Sequence, residues 1–122
     1  MSATKVLIAD DEPNIVVSLQ FMLKREGYEG LVARTGTEAL EMIGREHPHL
    51  VLLDGMMPGM SGFAVCEAVR ADPALRDTRI LMLTAKGRET DIARGTGAGV
   101  DAYVTKPFST RDLIVQIRDM LA

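Results

Sequence analysis

The sequence holds a single cysteine, Cys66, so no disulfide can close within the chain. It has no apolar run long enough to cross a bilayer, and no membrane partner is expected. It has no basic surplus either. Lys and Arg number 14 against 17 Asp and Glu, a net charge of −3, which argues against direct nucleic-acid binding because no excess cation is there to neutralise phosphates. No export signal precedes the first strand-like segment, and the expectation is a cytoplasmic protein. There is no low-complexity segment, no linker and no close internal repeat. What remains is an ordinary globular composition, 47% hydrophobic and 25% charged. At 122 residues it fits one domain, 1–122, with a core of its own.

Apolar runs alternate with helix-period segments along the whole chain. Lys5-Val6-Leu7-Ile8-Ala9, Leu50-Val51-Leu52-Leu53 and Ile80-Leu81-Met82-Leu83 read as strands covered on both faces. Tyr28 to Ala33 and Ala102-Tyr103-Val104-Thr105 read as two more strands. Pro13 opens a first helix that carries Ile15, Leu19, Met22 and Leu23 at helical spacing and closes at Gly27. Thr35 with Glu38, and Ser109 with Asp112, have capping-box spacing and open a second and a last helix. A third helix follows the loop Met57-Pro58-Gly59-Met60-Ser61-Gly62 and ends at Asp72-Pro73. A weaker one falls between Thr90 and Gly99. Strands that alternate with helices imply parallel pairing and right-handed crossovers, hence a doubly wound α/β fold with a five-stranded parallel sheet.

In such sheets ligands bind outside the carboxyl ends of the strands. Asp10 and Asp11, Asp54, Thr84 and Lys106 follow strands one, three, four and five. Singly, each has an ordinary reading as a turn, cap or strand residue. Together they bring three carboxylates, a hydroxyl and an ammonium to one rim. Glu12 reads as a first-turn charge favoured by the helix dipole. Three carboxylates repel, and one lysine does not balance them. A divalent cation does, and oxygen ligands without His or Cys point to Mg2+, with Mn2+ as the alternative. A carboxylate nucleophile beside a cation and a lysine suits phosphoryl transfer to an acyl phosphate.

Four stretches in order carry a resemblance that spans essentially the whole chain: Val6-Leu7-Ile8-Ala9-Asp10-Asp11-Glu12, Leu53 through Gly62, Leu83-Thr84-Ala85, and Asp101 through Phe108. They resemble the receiver domain of two-component response regulators, of the chemotaxis-regulator kind, a (βα)5 flavodoxin-like sandwich. The resemblance implies a phosphoacceptor switch rather than an enzyme, one that assists its own phosphorylation and dephosphorylation. By position, Asp54 resembles the phosphoacceptor and Asp10 and Asp11 the acidic metal-binding pair. The backbone carbonyl of Met56 is implied as a further metal ligand. Thr84 and Lys106 resemble the switch hydroxyl and the lysine of the site, and Tyr103 the switch aromatic. A cis Lys106–Pro107 bond is expected. The implied partners are a sensor histidine kinase or histidine phosphotransfer protein upstream and an output protein or domain downstream. The implied output face is the Thr90–Gly99 helix, strand five and the last helix.

Gly55 and Met56 depart from the usual pattern. Gly55 is expected to loosen the turn that holds Asp54, and Met56 brings no side-chain donor. Lys86 adds a nearby cation. Gly95 and Gly97 suggest a helix that is short or frayed before phosphorylation. His47 and His49 fall at the opposite rim and read as loop residues. Cys66 reads as a buried hydrophobe. Two rivals fit less well. A flavin or nucleotide module needs a phosphate cradle where Asp10-Asp11-Glu12 stands, and a phosphohydrolase would place its nucleophile at Asp10.

Overall fold

The computed structural model describes residues 4–85 and 99–122. Among them are five strands and four helices: β1 Lys5–Ala9, α1 Pro13–Arg25, β2 Glu29–Ala33, α2 Gly36–Glu46, β3 Leu50–Asp54, α3 Gly62–Ala71, β4 Arg79–Ala85, β5 Ala102–Lys106 and α4 Thr110–Leu121. The strands form one parallel sheet in the order β2-β1-β3-β4-β5. The three runs read as apolar throughout are the three inner strands, as covering on both faces requires. The expected doubly wound, flavodoxin-like fold is therefore the one observed. The segment expected to form the Thr90–Gly99 helix, and Lys86 with it, lies outside the described residues apart from Gly99.

Because side chains alternate across a strand, each inner strand feeds two cores. Leu7, Val51, Leu53, Ile80 and Met82 face α2 and α3, where Ala39, Ile43, Phe63, Cys66 and Val69 meet them. Val6, Ile8, Leu50, Leu52, Leu81 and Leu83 face α1 and α4, against Leu19, Leu23, Leu113 and Ile117. Cys66 is buried, as expected, and burial pushes its thiol pKa up to about 11.

The caps match their sequence signals. The Thr35 hydroxyl accepts from the Glu38 amide at 3.1 Å, and Ser109 accepts from the Asp112 amide. Ser61 caps α3 in the same way. Thr35→Ala removes an acceptor that no other group replaces at N3. It should lower stability by about 1 kcal/mol, read as a shift in denaturant midpoint at unchanged slope.

Three boundaries run further than the apolar pattern. Asp54 and Lys106 are the last residues of their strands, and Thr84 lies inside β4. The ladder continues past the apolar residues, pairing Asp54 with Leu83, Thr84 with Thr105 and Ala85 with Lys106. Asp54, Thr84 and Lys106 are thus fixed by sheet hydrogen bonds rather than carried on loops. His49 sits at the other end of the sheet, where its Nδ1 accepts from the Lys5 amide. No helix among the described residues is long and apolar enough to cross a membrane.

Candidate functional site

Asp10 directly follows β1 and is fully buried. Its Oδ1 accepts from the Glu12 amide at 2.9 Å, which bends the chain into α1. Its Oδ2 lies 2.9 Å from Lys106 Nζ and meets no other donor among the described residues. Asp54, at the end of β3, is nearly buried, and its Oδ1 accepts from the Met56 amide at 3.1 Å. Its Oδ2 lies 3.5 Å from Lys106 Nζ. Lys106 reaches back from the end of β5, and the Lys106–Pro107 bond after it is cis, as expected.

Glu12 differs from its expected role. It is the cap residue of α1, with extended backbone, and its side chain makes no capping bond. Instead Oε1 accepts from Lys106 Nζ at 3.1 Å. Asp10, Glu12 and Asp54 each offer a ligand oxygen, and these lie within 4.8 Å of one another. Asp11 is exposed and outside that group. Its charge still bears on Asp54. A local argument from the helix dipole misplaced Glu12 because its partner lies 94 residues away.

Burial raises the Asp54 pKa from 3.8 to about 6. The Met56 amide and the Lys106 charge oppose that rise, and the Asp10 and Asp11 charges add to it. Burial alone would lower the Lys106 pKa, but contact with Asp10, the charges of Asp54 and Asp10, and the Glu12 hydrogen bond leave it raised. The cluster thus holds more negative charge than one ammonium neutralises. Three carboxylates, one of them wholly buried, around a single ammonium are a donor set that fits a hard divalent cation.

Thr84 is buried at 4% exposure, one residue beyond the Leu83 that pairs with Asp54. Tyr103 is half-buried and packs against the core under α2 and α3. Met56 is 55% exposed. Gly55 is held through its backbone. Its amide donates to Leu83 O and its carbonyl accepts from the Gly62 amide, both at 3.1 Å.

A buried carboxylate at the end of the central strand, an acidic neighbour after β1 and a lysine at the end of β5 share one rim of a doubly wound sheet. The chain matches the model of the response regulator receiver domain over residues 6–118, and it belongs to that family. Receiver domains are signalling switches whose general role is phosphoryl acceptance, and they partner with sensor histidine kinases and output domains. Among solved structures, a putative response regulator from Chloroflexus aurantiacus is 33% identical with a TM-score of 0.93, and the match covers 98% of each chain. The chemotaxis response regulator CheY4 of Vibrio cholerae is 31% identical with a TM-score of 0.91, covering 98% of this chain and 100% of that one. The receiver domain of the sensor histidine kinase PA1611 from Pseudomonas aeruginosa, with magnesium coordinated in its active-site cleft, shares the fold at 24% identity. Its TM-score is 0.90, and 98% of each chain is covered.

Proposed function

We propose that residues 1–122 form one receiver unit that accepts a phosphoryl group on Asp54 from the phosphohistidine of a sensor kinase or phosphotransfer protein, in a Mg2+-dependent reaction. The observation that carries this reading is the cluster of Asp10, Glu12 and Asp54 around the single ammonium of Lys106, with Asp10 wholly buried. Asp10, Asp11, Asp54 and the Met56 carbonyl would hold the cation, with Glu12 beside them. When bound, Mg2+ supplies neutralisation of the phosphoryl oxygens and of the carboxylates around them.

In the metal-free site burial pushes the Asp54 pKa up to about 6, and the ionised carboxylate is the nucleophile. One of its oxygens attacks phosphorus, the bond from phosphorus to the donor's histidine nitrogen breaks, and the electron pair leaves with the imidazole. The product is an aspartyl phosphate. Lys106, held within 3.5 Å of Asp54, neutralises charge on the transferred group. The Thr84 hydroxyl donates to a phosphoryl oxygen, and its movement frees space into which Tyr103 turns. Strand β5, α4 and the chain between β4 and β5 then form the output face. The chain is a switch that assists its own phosphorylation and dephosphorylation, working in the cytoplasm on an output protein or domain, not on nucleic acid.

Incubation with Mg2+ and a small acyl phosphate should add one phosphoryl group to the native protein, seen in the intact mass. Excess chelator should abolish the addition, and Asp11→Ala should weaken it. Unchanged modification in chelator would rule out the metal-dependent reading.

A further inference from the structure

We infer that Gly36, at the start of α2, is a positioning residue for the Asp54 site, acting through the loop that carries Met56. This inference rests on the proposed phosphoacceptor reading and adds a residue that no part of the site touches.

The loop from Gly55 to Ser61 joins the nucleophile strand to α3. It is pinned at its base, where a carbon added at Gly62 would sit 2.2 Å from the Asp54 carbonyl oxygen. Its tip is pinned on a different element. The Gly36 amide donates to Pro58 O at 3.2 Å. A Cβ on Gly36 would lie 1.9 Å from Met60 O and 2.6 Å from Met60 C. Those are backbone atoms, so no side-chain rotation relieves the clash, and either the loop or the helix must move. Gly59 adopts φ +80 beside the same turn, and a carbon there would lie 3.2 Å from Thr37 Oγ1. The loop tip therefore rests on the bare first turn of α2. Between the two pins lies Met56, whose amide holds Asp54 Oδ1. Displacing the tip shifts the Met56 peptide, and with it both the orientation of the Asp54 carboxylate and the carbonyl offered to the cation. Groups that orient ligands in this way are worth roughly 10–100-fold in metal affinity.

The same helix provides its own control. Gly44 has nothing within 4 Å of an added Cβ, so Gly44→Ala should raise the melting temperature through helix propensity alone. The experiment compares native protein, Gly36→Ala, Gly44→Ala and the double variant in three measurements. These are the melting temperature, the Met56 amide resonance without metal, and Mg2+ affinity from amide shifts. Gly36→Ala should shift the Met56 amide in metal-free protein and weaken Mg2+ binding roughly tenfold or more. The double variant should recover melting temperature but not affinity. Native affinity and an unmoved Met56 amide in folded Gly36→Ala would overturn the inference, as would recovery of affinity along with stability. If Gly36→Ala does not fold even with Gly44→Ala, the milder Gly59→Ala decides by the same two readouts. Weakened Mg2+ binding supports the positioning role, and native binding overturns it. Failure of the native protein to bind Mg2+ or accept a phosphoryl group would instead defeat the underlying phosphoacceptor reading.

Discussion

Replacing Lys106 with methionine is expected to cost about 3 kcal/mol of stability in metal-free protein well above pH 6, the low end of what removing one partner of a buried ion pair costs. The Lys106 ammonium touches three carboxylates, at 2.9 Å from Asp10, 3.1 Å from Glu12 and 3.5 Å from Asp54. Asp10 is wholly buried and has no other counterion contact among the described residues. Methionine keeps most of the apolar stem and removes only the charge. The low end applies because Lys106 is partly exposed and Glu12 is largely so. Mg2+ should restore much of the loss, since the cation answers the same excess of negative charge. Denaturant melts with and without Mg2+ check this. A variant as stable as the native protein in chelator would show that Lys106 does not neutralise the cluster.

Asp54→Asn should act in the opposite direction and stabilise metal-free protein by about 1–3 kcal/mol above pH 6, since each tenfold change in proton affinity between the folded and unfolded states is worth about 1.36 kcal/mol. The sign follows from the raised pKa. Asp54 moves from 3.8 to about 6 on folding, chiefly by burial, so the folded state binds the proton more tightly than the unfolded one. Its stabilising contribution is complete below about pH 4 and is lost as pH rises through about 6. Asparagine cannot ionise, and its side-chain oxygen can still accept from the Met56 amide. The native protein should therefore lose stability across that window relative to the variant. A parallel pH profile for the two would contradict the assignment. Because Lys106 and Asp54 are in contact, the double variant should lose less than the two single effects predict.

Most of the scaffold that carries these effects is legible in the sequence. Continuous apolar runs mark β1, β3 and β4 because an inner parallel strand has no solvent face. Thr35 and Ser109 mark helix starts because an N-cap needs a side-chain acceptor. Asp10, Asp54 and Lys106 can be placed on one rim because parallel strands share a carboxyl end. Glu12 cannot, since its ion pair with Lys106 joins the two ends of the chain and leaves no periodic trace. The contact of Gly36 with Met60 is hidden for the same reason. A glycine at the first helical position reads as a weak helix residue until another backbone is seen lying against it.

Locating the phosphoryl group tests the role of Asp54 without intermediaries. Native protein and Asp54→Asn are incubated with Mg2+ and a small acyl phosphate, and intact mass is followed by peptide mapping. A single addition is expected on the native peptide that contains Asp54, and none on the variant. Equal modification of the variant, or a phosphoryl group found on Asp10 or Asp11, would contradict the assignment of Asp54 as the acceptor.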